Sequence, residues 1–255
     1  MTTPLLTGLA NASVDDYYKY LKANDAVGDL CYGTRSGEEN KIVRISGGGP
    51  NRSKVKMGMV TTTVHDNYMM FLKCNQRMSV SPTDRDAVAK MELILRRQMA
   101  AVVETFRKNV PGCEKAFMAR TAPGLVIRRG RCIECDYDIT HEDVIEARHF
   151  DDEVFNYGFH DNAPRLKVGK GETYGVPYRA LCVKGLDNLY ATGMMITSNH
   201  SAHMSTRNTV SCMGHGQATG TAAALCAARN LGSRELKYSD LRAALIRGKV
   251  YLEES

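Results

Sequence analysis

Apolar positions recur at helical spacing most clearly between residues 83 and 110. Val88, Met91, Leu95, Met99, Val102 and Phe106 share one face, with Thr83 and Asp86 at its start in the manner of a capping box and Pro111-Gly112 at its end. A Met-bearing stripe of this kind reads as core. Residues 13–24 (SVDDYYKYLKAN) predict a short helix opened by Ser13, with two acids in its first turn. A third helical pattern covers Ser239 to Arg247, with Leu241, Ala244 and Leu245 on one side. MGMVTTTV and YMMFLKCN alternate or run apolar and predict strands. Residues 124–139 (GLVIRRGRCIECDYDI) read as one strand or two, and Thr140 opens a short helix through Arg148. SGGGP, residues 46–50, is a loop between two basic segments.

The pattern changes near residue 165. Asp187-Asn188 make a turn, Leu189 to Gly193 read as a short buried strand, and a polar loop runs from Thr197 to Thr209. GHGQATGTAAALCAA, residues 214–228, then predicts an Ala-rich helix headed by glycines. Glycines there let backbone N–H groups approach a ligand closely, and a helix N-terminus favours negative charge. The glycines equally serve as a device for tight packing on a sheet.

Composition narrows the class. The chain has 255 residues, enough to bury a real core in one large domain or two small ones. Hydrophobic residues at 43% and charged residues at 24% exclude a wholly disordered or collagen-like chain. Thirty-four Lys and Arg against 28 Asp and Glu leave a scattered +6, which suits an anionic ligand and gives no nucleic-acid signature. No apolar run approaches a membrane span and no secretory pattern opens the chain. Eight dispersed cysteines, several inside apolar segments, and 13 methionines point to a reducing cytoplasm.

Known glycine signatures fail on spacing. Gly214, Gly216 and Gly220 read G-x-G-x-x-x-G, one residue longer than the dinucleotide fingerprint, and no suitable acid follows. SGGGP opens no helix, and no phosphate loop of the G-x-x-x-x-G-K-[ST] type occurs. Cys132 and Cys135 form a C-x-x-C without a second pair or a spaced His pair to complete a zinc set. On a strand, positions i and i+3 point to opposite faces, so these thiols do not converge.

A longer pattern carries more. GVPYRALCVKGLDNLYATGMMITSNHSAHMSTRNTVSCMGHGQATGTAAALCAA, residues 175–228, resembles the C-terminal segment of FAD-dependent oxidoreductases, in the broad group that includes fumarate reductase flavoprotein-like enzymes. The family runs from an I-P-Y-R segment to an N-L-x-x-x-G strand, a His/Ser loop, an Arg and a G-x-A-x-G-x-A-A-A helix. Upstream, Asn109-Val110-Pro111-Gly112 is similar to the family's N-V-P-G. Residues 124–140 resemble its G-V-R-x-x-R-R-I-x-G-x-Y-x-L-T, with Arg128 and Arg131 at the two arginines and Cys135 where a Gly usually stands. Asp151-Asp152 and His160-Asp161 also have counterparts. The likeness covers residues 83–250 and leaves the first 45 unplaced.

The resemblance implies FAD as cofactor and a mixed α/β to α+β fold. It divides the chain into an N-terminal segment (1–45), a substrate or cap region (46–165), and a C-terminal strand and helix (166–255) completing a Rossmann-like FAD-binding domain. It implies that Gly193, Arg207, Met213, Gly214, Gly216, Gln217 and Ala218 lie on the flavin side, with N–H groups around Gly216, Gln217 and Ala218 meeting the N1 and C2 carbonyl of the isoalloxazine. His200 and His203 stand in the loop between flavin and substrate, as acid/base groups or as histidines bonded to backbone. His160, next to Asp161, has the same two readings. Arg128 either binds a substrate carboxylate or pairs with a neighbouring acid.

One family element is missing. No G-x-G-x-x-G unit for the FAD pyrophosphate occurs in these residues. Either these residues are a fragment or the missing half is a separate polypeptide, and the favoured expectation is a split flavoenzyme: a heteromer in which a larger subunit supplies the dinucleotide half, no nucleic acid or membrane span is involved, and a small organic molecule exchanges hydride with FAD. The alternative is a non-catalytic stabilising or regulatory subunit that keeps the fold.

Overall fold

Among the described residues, three clusters of buried hydrophobic side chains organise the chain, two within residues 1–130 and one within residues 131–255. The computed structural model describes residues 2–35, 37–48, 60–63, 65–77, 79–161, 166–169 and 172–253.

In the first unit, β1 (Thr2–Ala10) leads into α1 (Val14–Ala23), whose N-cap Ser13 accepts from the N–H groups of Asp15 and Asp16. β2 (Val27–Arg35), β3 (Glu38–Gly47) and β4 (Val60–Thr62) form one antiparallel sheet in the order β2-β3-β4. β5 (Tyr68–Arg77) follows, then α2 (Arg85–Asn109) and β6 (Phe117–Thr121), and a second antiparallel sheet runs β5-β1-β6. α2 buries Leu95, Met99 and Phe106 of the predicted stripe together with Val103, while Val88, Met91 and Val102 are only partly buried, and Phe106 meets Tyr17 of α1 at 5.4 Å between ring centroids. Its cap is Asp84, which accepts from the Ala87 N–H at 3.0 Å, instead of the expected Thr83 and Asp86. The strand predicted for MGMVTTTV is Val60–Thr62; residues 57–59 and 64, with the end of the SGGGP loop, lie outside the described residues.

The second unit begins irregularly. Residues 124–139 form no strand: Ile133, Cys135 and Ile139 make only isolated bridges, to Ile196, Val183 and Ser198. The apolar positions there are spent on single contacts with distant loops, which sequence periodicity does not distinguish from a ladder. α3 (His141–Ile145) carries a full capping box between Thr140 and Asp143. β7 (Glu153–Tyr157) and β8 (Tyr174–Pro177) pair antiparallel. The expected strand at Leu189–Gly193 is likewise replaced by one bridge from Tyr190 to Cys182 and a 3-10 turn at Gly193–Met195. α4 (His203–Thr206), α5 (Thr209–Arg229) and α6 (Tyr238–Arg247) complete the unit.

The fold is thus mixed α and β with small sheets. The division falls between residues 130 and 131, where the sequence pattern alone suggested a change near 165. Among the described residues no helix is long and apolar enough to cross a membrane.

Candidate functional site

The segment that leads into α5 is built by local hydrogen bonds. Asn199 donates its N–H to the Ile139 carbonyl at 3.0 Å and accepts from the Ala202 N–H on its side-chain oxygen at 2.9 Å. Ser201 then links two histidines: its hydroxyl lies 2.8 Å from His141 Nδ1, and its carbonyl accepts from His160 Nε2 at 3.2 Å. Because a carbonyl only accepts, His160 carries a proton on Nε2. Burial pushes the His160 pKa down, against the pull of the Ser201 carbonyl and Asp161. His160 and His203 are both buried, and His200 is exposed.

Arg207 follows α4. Its guanidinium is buried, pairs with Asp161 and touches Met204 Sδ at 3.7 Å. That cation is therefore neutralised inside the unit. Phe159, the residue before His160, accepts a hydrogen bond from the Ser205 hydroxyl on its carbonyl, and Ser205 also meets the Tyr174 hydroxyl at 2.9 Å. The loop 158–161 and helix α4 are thereby fastened together.

α5 starts at Thr209 and not near Gly214. Asn208 is its N-cap by position, yet its side chain donates to the Met204 carbonyl at 3.2 Å and caps nothing. The first-turn N–H groups, which no intrahelical carbonyl can satisfy, are those of Thr209, Val210 and Ser211. Those of Gly216, Gln217 and Ala218 lie inside the helix, in its second and third turns, and serve its own ladder. Ala218 is buried in the core and the Gln217 amide is tied to the Gly248 carbonyl at 3.0 Å. Gly214 has a packing reason: a Cβ there would sit 2.8 Å from the Phe155 ring.

Exposed apolar side chains surround this helix start. Val210 is 65% and Met213 69% exposed, and Met194 and Met195 stand out from the turn that packs on α5. Gly193 opens that turn at φ +74°, in the left-handed region. His215, which the sequence did not single out, is wholly buried with its ring edge-on to Phe155 at 5.3 Å between centroids. Burial pushes its pKa down to about 3, so it is neutral at physiological pH.

Of the residues the sequence singled out, the second unit brings His160, His203, Arg207 and Met213 to the same short stretch around α4 and the start of α5. Arg128 belongs to the first unit, half-buried in the irregular segment after β6. Among the described residues no cluster of His, Cys, Asp or Glu suits a metal ion, and Cys132 and Cys135 are free thiols, Cys135 buried.

The donor set at α5 suits a flavin. An uncapped helix N-terminus offers N–H groups and positive potential to an anionic, planar heterocycle, and the surrounding methionines and valine offer it an apolar bed. A family model described as FAD dependent oxidoreductase matches residues 14–245. No curated protein and no solved structure matches the chain. The match begins within the first 45 residues, which the resemblance had left unplaced, and runs through both units. The chain belongs to the FAD dependent oxidoreductase family, and its cofactor is FAD.

Proposed function

We propose that this chain is a cytoplasmic subunit of a flavoenzyme related to the fumarate reductase flavoprotein-like group, and that a larger partner chain holds the pyrophosphate half of FAD. The observation that carries the proposal is the start of α5, a 21-residue helix with no side-chain cap and an exposed apolar rim of Met194, Met195, Val210 and Met213. The proposed partner is motivated by the given residues, in which no G-x-G-x-x-G unit occurs.

When bound, FAD supplies hydride chemistry with a small organic substrate. The chain's own residues do the rest. The Thr209, Val210 and Ser211 N–H groups hold negative charge on the cofactor without reorganisation, because the helix fixes them in place. The apolar rim excludes water from that face. His200, exposed on the loop, takes or gives the substrate proton. His160 and His203 position that loop from inside. The burial of His160 and His203 and the closed Arg207–Asp161 pair favour a second reading, a non-catalytic subunit that stabilises its partner.

Copurification with a larger chain carrying G-x-G-x-x-G, followed by an absorbance spectrum, tests the proposal. A flavin spectrum that appears only in the complex is the expected result. A yellow chain on its own refutes the partner requirement, and a colourless complex supports the second reading. Within a yellow complex, Val210→Asp places a negative charge in the first turn of α5 and lowers flavin retention several-fold if that turn faces the cofactor.

A further inference from the structure

The turn into β7, the first turns of α6 and the chain after α6 meet around a cavity of about 640 Å3 in the second unit, a volume that suits a small molecule. Hydrogen bonds fix each wall. The Glu153 N–H donates to the Phe150 carbonyl at 3.2 Å, closing the turn that carries Asp151. Tyr238 and Arg242 stand four residues apart on α6 and so share a face. The Tyr238 hydroxyl donates to the Glu153 carbonyl at 2.7 Å, which sets the start of α6 against β7. Beyond α6, the Glu253 N–H donates to Asn156 Oδ1 at 2.6 Å and so brings Glu253 to the same cavity.

The charged groups on these walls are of two kinds. Glu153 and Glu253 are engaged by neighbours. The Glu153 carboxylate is nearly buried, accepts from Asn156 Nδ2 at 3.0 Å and faces His149 Nδ1 at 2.9 Å. The Glu253 carboxylate accepts from the Thr173 hydroxyl and from the Tyr251 hydroxyl at 3.4 Å, with His149 Nε2 at 3.7 Å. Arg242 is half-buried, donates to the Glu253 backbone carbonyl at 3.4 Å and approaches the Tyr238 hydroxyl. Among the described residues no carboxylate forms an ion pair with it, and none of their cations pairs with the exposed Asp151. A guanidinium drawn partly out of water with only a backbone carbonyl and a phenol for company gains most from a carboxylate, which matches its fork.

We propose that this cavity binds a free α-amino acid, whose carboxylate pairs with Arg242 and whose ammonium pairs with Asp151. A simple anion there meets the repulsion of Asp151, Glu153 and Glu253, and a simple cation meets that of Arg242. A zwitterion answers both open charges and adds no net charge to the cavity. Arg242 and Asp151 are not paired with each other, so no ion pair has to break before the ligand enters. Phe150 and Tyr238 supply apolar surface for its side chain. Asp151 stands in water, so the affinity is modest. None of these residues belongs to the start of α5, and the site is independent of the flavin-side reading.

The test is an NMR titration of the full chain at constant pH and ionic strength with L-alanine, sodium propionate and ethylammonium chloride. The Glu253 and Asn156 N–H signals report on the cavity, and the Ala191 N–H, bonded to the Leu181 carbonyl in the core, serves as reference. L-alanine gives saturable shifts at the first two with a Kd of about 1 mM. Propionate and ethylammonium bind at least about fivefold more weakly. Asp151→Asn, at an exposed position where folding is not at risk, and Arg242→Gln each weaken L-alanine by about fivefold, and Asp151→Asn narrows the gap between L-alanine and propionate. No saturable shift with L-alanine, equal binding of propionate or ethylammonium, or an unchanged L-alanine affinity in either variant overturns the site.

Discussion

His215 shows how burial alone sets a residue's chemistry. Its folded pKa of about 3 lies below the ordinary 6.5, so the unfolded chain binds the proton more readily between those values. The sign follows: stability is full above pH 6.5 and falls as pH drops toward 3, by up to about 1.4 kcal/mol per unit. His160, shifted in the same direction, adds to this slope. Urea unfolding between pH 7 and 4 should show it, and His215→Phe should make the profile shallower. The Arg207–Asp161 pair offers a second test. Asp161→Ala leaves a guanidinium buried without its carboxylate and should cost about 2–3 kcal/mol in the same assay. The histidines of SNHSAHMS and the arginine after them were legible in the sequence as polar groups on a loop. The burial of His203 and Arg207 was not, because it depends on β8 and residues 158–161, some thirty to forty residues upstream, arriving against α4.

Among the elements, α5 carries most of the functional argument, and its glycines divide into two kinds. A Cβ at Gly214 meets the Phe155 ring at 2.8 Å, whereas one at Gly220 meets nothing within 4 Å. Gly214→Ala should therefore destabilise the chain by about 1–3 kcal/mol through overpacking. Gly220→Ala should stabilise it by up to about 1 kcal/mol through helix propensity. Opposite shifts in thermal midpoint would confirm the division; equal shifts would refute it. Asp84→Ala at the head of α2 should cost about 1 kcal/mol, and Thr83→Ala little, since Asp84 makes the capping bond. The periodic body of α2 was readable because a 3.6-residue repeat of apolar side chains has one simple interpretation. The start of α5 was obscured by glycines that looked like a loop, although Asn208 is an N-cap type that would have marked it.

For the whole molecule, the division into two compact units, each with its own hydrophobic core, predicts two folding units. Limited trypsin digestion should cut first at Arg128, Arg129 or Arg131, in the irregular segment between them, and mass spectrometry would identify the fragments. Initial cleavage inside α2 or α5 would contradict the division. A change of sequence texture near residue 165 is not where the two compact units divide, because a domain boundary is a property of which contacts close, and residues such as Ile133, Cys135, Ile139 and Val154 pack with the C-terminal helices and loops.

The sequence by itself determined the helices with clean periodicity, the Ser13 and Thr140 caps, and the family, since fifty consecutive residues of matched punctuation survive without any knowledge of contacts. These are local properties, fixed by neighbours within a few positions. Only the tertiary structure decided that the apolar runs at 124–139 and 189–193 spend their backbone on isolated bridges. It likewise decided that His160, His203 and His215 are buried, that Arg207 is neutralised by Asp161, and that α5 begins at Thr209. Each of these depends on which distant segment removes water from a polar group, and no spacing along the chain encodes that.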